Sequence, residues 1–379
     1  YLDGSGGAAV SCLGHGHPDV IAAIRDQVEK LAYAHTAFFT NEPQEKLAAR
    51  LAERFGESTA RVYFLSGGSE ANETAIKVAR QYWLARGHPG KHIVISREQS
   101  YHGNTLGALS LSGNPMRREI YAPLLHDWPR IAPCYAYRHQ LSDETDEEYG
   151  RRAAAELEEA INAHGAGNVA AFIAETVVGA TLGAVPPVGA YLRHVRAICD
   201  KYEVLLILDE VMAGFGRAGA WFAFDHYDVR PDLITFAKGV NSGYVPLGGV
   251  IISEPIVDTF RERVYPGGLT YSGHPLACAS AVATITAMQD EGIIENALRI
   301  GVDVLGPGLA ELAQRHPVIG DARGIGVFWA LDLVKNRETK EELAPYGGTS
   351  EAMGTLLGAL KKRGVLPFAN YHRLHVVPP

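Results

Sequence analysis

Val204-Leu205-Leu206-Ile207-Leu208-Asp209-Glu210 sets a continuous apolar run directly against two acids. A run with no polar interruption is what a parallel strand covered on both faces requires; a strand with one wet face would alternate. Val62–Leu65, His92–Ser96, Ala170–Ala174 and Leu233–Phe236 are nearly continuous apolar runs of the same kind. Helical periodicity fills the stretches between them at Glu70–Ala85, Glu147–His164 and Leu192–Tyr202, each about one crossover in length. Alternation of this kind predicts an α/β fold with a mostly parallel, doubly wound sheet.

Beyond residue 275 the texture changes. Ala/Leu-rich helices at Leu276–Asp290, Glu295–Arg315 and Ser350–Arg363 enclose a strand pair, Gly326–Leu333 and His372–Val377. A short strand near Tyr1–Ala9 needs a sheet to join. The expected division is a large domain at 30–275 and a smaller α+β domain formed by 1–29 and 276–379. Residues 138–150 read as a polar surface excursion. The chain begins at Tyr1 without Met and stops at Pro378-Pro379, so both ends are expected to belong to a longer protein.

Composition narrows the function classes. The 379 residues carry 35 Lys and Arg against 43 Asp and Glu, a net charge of −8. Nucleic-acid binding needs a basic footprint, and none is present. No apolar run reaches the roughly 18 residues of a membrane span. Four separated cysteines, Cys12, Cys134, Cys199 and Cys278, form no CxxC pair and suit a reducing, cytoplasmic compartment. Cys12, His15 and His17 lie close together, but their Gly/Pro setting reads as a structural turn, and no metal site is expected.

In open α/β sheets, ligands bind beyond the carboxyl ends of the strands, so the polar residues ending the apolar runs come first. Ser66-Gly67-Gly68-Ser69-Glu70-Ala71-Asn72-Glu73 follows one run and opens a helix. It reads either as an anion cradle or as a plain helix cap, and it matches neither GxxxxGK[ST] nor GxGxxG. Ser100-Tyr101-His102-Gly103 offers a ring that could stack on a planar ligand or simply pack in a loop. Glu175 and Asp209 each end a buried run, where a carboxylate is costly unless it is paired or used. Asp209 there suits a protonated heterocyclic nitrogen. Lys238 follows the apolar run Leu233–Phe236 and precedes Gly239; such surroundings depress an amine's pKa and favour Schiff-base chemistry, although a lysine snorkelling from a strand end is the commoner case. Together these sites supply a phosphate cradle, a stacking ring, two carboxylates and a desolvated amine. That set matches pyridoxal 5′-phosphate (PLP).

Leu208-Asp209-Glu210-Val211-Met212-Ala213-Gly214-Phe215-Gly216-Arg217, followed by Lys238, resembles the signature of class III, fold type I PLP-dependent aminotransferases. The likeness extends from Leu13-Gly14-His15-Gly16-His17-Pro18, through Thr270-Tyr271-Ser272-Gly273-His274-Pro275, to Arg323-Gly324-Ile325-Gly326. It implies catalytic roles for Lys238, as the Schiff-base lysine, and Asp209, on the ring nitrogen. Gly67, Gly68 and Ser69 would hold the phosphate, with Tyr101 and Val211 on the two ring faces and Glu175 near the phenolic oxygen. Thr270 would reach the phosphate of a neighbouring subunit, implying a homodimer with shared active sites, or a tetramer.

Three departures from the family pattern stand out. Met212 replaces a common Gln and removes a hydrogen bond to the phenolic oxygen. Thr176 replaces a common Pro. His375 occupies the place of a carboxylate-clamping Arg, with Arg373 two residues earlier on the same strand face. His102, Arg373 and His375 are the candidate substrate contacts. The resemblance implies transfer of an amino group from an ω-amino acid or amine to a keto acid, pyruvate above all. Aminomutases, dialkylglycine-type decarboxylases and epimerases share the same Lys and Asp, and these motifs do not separate them. Retention of Lys238, Asp209 and Glu175 argues against a non-catalytic descendant.

Overall fold

A computed structural model describes residues 1–379. Strand β1 (Leu2–Asp3) is followed by seven strands of one sheet: β2 (Arg61–Leu65), β3 (Ile93–Arg97), β4 (Arg130–Ile131), β5 (Val169–Glu175), β6 (Leu205–Asp209), β7 (Leu233–Phe236) and β8 (Gly248–Ile252). Their order is β2-β8-β7-β6-β5-β3-β4. The pairs among β3 to β7 are parallel, while β8 runs antiparallel to both of its neighbours.

The apolar runs are explained by two cores. Successive side chains on a strand point to opposite faces. Leu206, Leu208, Ile234 and Phe236 therefore pack on one side with Phe55, Leu157 and Val195. Leu205, Ile207 and Leu233 pack on the other with Ala71, Val78 and Trp83 from the helix Gly68–Ala85. Each large side chain buried in this way contributes about 1.5–3 kcal/mol. A polar residue at either parity would face a dry layer, so the run cannot alternate.

The helix Pro275–Asp290 sits in the first of these cores, with Ala277, Cys278, Ala281, Ile285 and Met288 beside Phe55 and Phe236. The expected division instead grouped it with the C-terminal sheet. Its small residues permit a close approach to the large sheet's helical layer.

The second sheet contains β9 (Ile319–Ile325), β10 (Phe328–Asn336), β11 (Glu341–Glu342), β13 (Phe368–Asn370) and β14 (Arg373–Val376). All of its pairs are antiparallel. The expected N-terminal strand is present: Leu2–Asp3 pairs in parallel with β12 (Val365–Leu366). The single helix expected at Glu295–Arg315 is instead two helices, Ile293–Ile300 and Gly306–Arg315, joined by a π-helical stretch at Gly301–Leu305. Pro307 donates no N–H, so the regular ladder fails there. The stretch 138–150 is exposed through most of its length as expected, but Tyr149 and Gly150 are buried at the start of the helix Asp146–His164, and the Arg138 guanidinium turns inward to bond Asp332 at 2.7 Å.

Candidate active site

Parallel register brings three strand ends side by side. Glu175 pairs with Asp209, and Asp209 with Thr235. Lys238 follows just past the third strand. Next to them, β2 turns into the helix Gly68–Ala85, whose N-terminus carries no side-chain cap, leaving its first-turn N–H groups free for an anion. A cavity of about 320 Å³ lies at this junction. All the residues singled out from the sequence line it except Thr270, Arg373 and His375.

Asp209 is held from three sides. Oδ2 accepts from Asn72 Nδ2 at 2.9 Å and lies 2.8 Å from His102 Nδ1, while Oδ1 accepts the Val211 N–H at 3.0 Å. A carboxylate this buried stays charged only when hydrogen-bonded, and these partners aim it into the cavity. His102 is among the residues lining the cavity, and its buried ring packs against Asp209. The adjacent Gly103 has φ +136, and a Cβ there would come within 2.6 Å of Ser69 Oγ. Only glycine lets the Tyr101 loop close on the helix start.

Lys238 adopts a left-handed conformation, φ +48, and its Nζ donates to the Ala8 carbonyl at 3.3 Å. Burial pushes its pKa down, opposed by the charges of Asp209 and Glu175. Glu175 accepts the Tyr101 N–H at 3.0 Å on one oxygen and the Gly179 N–H at 2.8 Å on the other. Burial nonetheless raises its pKa, with His102 opposing and Asp209 adding to the rise. Thr176, where a Pro is common, donates to the buried Glu210 at 2.6 Å, so the departure adds a hydrogen bond.

Asn72 was missed as a functional residue. Its signal was an amide at a fully buried position of a helix, where Asn is a poor helix former and must have a partner. Asn72 Oδ1 and His102 Nε2 are buried with no protein partner.

Two expected substrate contacts lie outside this cavity, and so does Thr270, which was expected to reach the phosphate of a neighbouring subunit. Arg373 is buried against the second sheet, donating to the Thr181 carbonyl at 3.1 Å and lying 3.5 Å from Asp332. His375 is enclosed beside Phe368, and burial pushes its pKa down to about 3, so it offers a carboxylate no charge. Thr270 is on the surface, its carbonyl accepting from Tyr33 Oη at 2.9 Å.

PLP fits this arrangement. The free helix N-terminus would take its phosphate, the buried Asp209 carboxylate its ring nitrogen, and the desolvated Lys238 amine its aldehyde.

The comparisons with known proteins agree. A family model described as aminotransferase class III matches residues 1–379. A putrescine–pyruvate aminotransferase of Pseudomonas aeruginosa is 38% identical over 348 residues, which cover 91% of this chain and 76% of that protein. An (S)-enantioselective ω-transaminase from Thermomicrobium roseum superposes with a TM-score of 0.93 at 39% identity, over 100% of this chain and 83% of that one. An amine transaminase from an uncultivated Pseudomonas species, solved in its PLP-bound internal aldimine form, gives 0.94 at 36% identity, over 100% and 86%. Fold, cavity and likeness converge: the chain belongs to the class III aminotransferases, which are PLP-dependent.

Proposed function

We propose that this aminotransferase takes its amino group from an ω-amino acid or a simple amine, passes it to pyruvate, and uses Lys238 as the cofactor-bonding and proton-moving residue. The observation carrying this reading is the Lys238 amine, buried in the same cavity as the strand-end acids Asp209 and Glu175. PLP, when bound, supplies an electron sink that lets the amino-bearing carbon of the substrate lose a proton.

The chain's own residues do the rest. Lys238 Nζ would hold the cofactor at its aldehyde and would be freed when a substrate amine takes its place. The released amine, its pKa lowered by burial, then takes the proton from the substrate carbon and returns it one position away, acting first as base and then as acid. Asp209, steadied by Asn72 and His102, keeps the ring nitrogen protonated. Gly67, Gly68 and Ser69 would offer N–H groups to the phosphate, and Tyr101 and Val211 would bracket the ring. Glu175, held by two backbone N–H groups, would face the phenolic oxygen. A keto acid would take up the amino group in the return half, giving ping-pong kinetics.

The substrate assignment rests on the lining. Val10, Val177, Met212 and Leu247 give the cavity apolar walls, and no arginine lines it. Such walls suit the carbon chain of an amine donor. The similarity to a putrescine–pyruvate aminotransferase supports the same donor class and acceptor. A panel of amine donors, each with pyruvate or 2-oxoglutarate, tests this. Alanine should accumulate with diamines and ω-amino acids; consumption of donor without alanine or glutamate would sink the assignment.

We also infer a homodimer. Phe38 and Phe39 are 78% and 67% exposed, and Tyr271 lies in the same aromatic group as Tyr33 and His35, beside Thr270. A cluster of exposed aromatics suits an interface, and Thr270 there would reach the phosphate of a second active site. Light scattering should give twice the chain mass, and Phe38→Glu with Phe39→Glu should halve it. The four free, buried cysteines support a cytoplasmic setting, which fractionation would check. No helix is long and apolar enough to cross a membrane.

A further inference from the structure

After Glu175 the chain runs through Thr176, Val177 and Val178 into a loop at 179–183, and four consecutive carbonyls of that loop have side-chain donors. The Gly179 N–H donates to Glu175 Oε2 at 2.8 Å, on the cavity side. The next four carbonyls point the other way, toward the second sheet. Ala180 O accepts from Asn370 Nδ2 at 2.7 Å, and Thr181 O from Arg373 Nη1 at 3.1 Å. Leu182 O and Gly183 O accept from Arg323, at 2.6 Å from Nη2 and 2.8 Å from Nε. Three side chains from three strands thus hold four consecutive carbonyls.

The loop has little slack. A Cβ on Gly179 would lie 2.5 Å from Met212 Sδ and 3.2 Å from Glu175 Oε2. The two arginines are themselves fixed, since Asp332 lies 3.3 Å from Arg323 and 3.5 Å from Arg373. A buried carbonyl stripped of its donor costs enough to make the loop move. Movement on one side must disturb the Gly179 bond on the other.

We propose that Arg373, with Arg323 and Asn370, is a positioning residue: it sets the Glu175 carboxylate through the 179–183 loop and does not touch substrate. The inference rests on the reading of the cavity as the PLP site with Glu175 inside it. It assigns a new role to the arginine that a carboxylate clamp would otherwise claim.

The test is a double-mutant cycle on the PLP-loaded enzyme, using Arg373→Met, Glu175→Gln and the pair, with pyruvate and with butanal as acceptors. Arg373→Met should lower kcat/KM about tenfold, the equivalent of one hydrogen bond, equally for both acceptors. It should add little to Glu175→Gln, because both act on one carboxylate. The visible absorbance band of the bound cofactor should shift the same way in both single variants. A loss confined to the KM for pyruvate would make Arg373 a substrate clamp and overturn the proposal. Full additivity with an unmoved band would reduce it to a structural role, which also overturns it. If Arg373→Met does not fold, Asn370→Ala enters the same cycle with the same criteria, since it frees one carbonyl and leaves every charge in place. A wild-type protein that takes up no PLP would instead defeat the reading of the cavity, a result distinct from either outcome.

Discussion

Asp209 and Asp332 are both fully enclosed aspartates on β-strands, and they do opposite things. Asp332 is surrounded by its own protein: Tyr135 Oη donates at 2.7 Å and Arg138 at 2.7 Å, with Arg323 at 3.3 Å and His372 at 3.4 Å. Burial pushes its pKa up, yet His372 and the Arg323 charge hold it well below the usual carboxylate range. Asp209 has neutral partners, Asn72 and a backbone N–H, with His102 behind it, and the cavity in front. A buried acid is therefore no marker of function in itself. Function shows where the partners orient the acid and leave it facing open space; stability shows where they consume it.

The contrast can be broken most decisively at the amine that Asp209 serves. Lys238→Ala should reduce transamination by about 10⁴-fold or more, since it removes both covalent attachment and the proton carrier. The visible band that borohydride abolishes should vanish with it; retained turnover would end this account of the site. Asp332→Ala comes next and should act on stability, by about 3–5 kcal/mol, because it leaves buried guanidinium groups unpaired. Denaturant titration reads that loss, while turnover per folded molecule should fall by no more than the roughly tenfold expected of Arg373→Met, whose guanidinium Asp332 holds. Asp209→Asn should do the reverse: a loss of about 10²–10³-fold in kcat with an almost unchanged denaturation midpoint. If Asp209→Asn unfolded the protein as readily as Asp332→Ala, the distinction would fail.

The smallest effect sharpens the comparison at Glu210, the immediate neighbour of Asp209. Burial pushes its pKa up to about 7, from an ordinary 4.5, against the bonds from Thr176, Ala223 and Phe224. The folded state thus holds this proton more tightly than the unfolded chain. Its contribution is fully present below the unfolded pKa and is lost as pH rises through the folded value. The melting temperature should decline between about pH 4.5 and 7, and Glu210→Gln should flatten that slope. Equal slopes in the two proteins would show that Glu210 stays ionised throughout.

The chemistry of the site was legible because it follows uninterrupted apolar runs. Asp209 ends β6 and Lys238 follows β7, and a charge that follows a strand buried on both faces needs a partner or a use. β8 was not legible. It opens with Gly248-Gly249, which reads as a loop, but a Cβ on Gly249 would lie 2.5 Å from the Phe236 ring, so the strand needs glycine in order to pair. β9 hides in the same way behind Gly320-Asp321-Ala322-Arg323-Gly324, a turn-like composition that is held in a hairpin by β10. Arg373 and His375 share a strand face, as the spacing implies, but spacing does not say whether that face looks into the cavity or into the second sheet. Only the packing of the 179–183 loop decides it.

The helix Pro275–Asp290 carries one more consequence, for how the molecule can be divided. A cut made where the sequence texture changes would remove Ala281, Ile285 and Met288 from the layer that covers the large sheet, exposing Phe55 and Phe236. Neither piece would then hold together as an independent unit, and a shortened version intended to retain the cofactor pocket would have to run at least through Asp290.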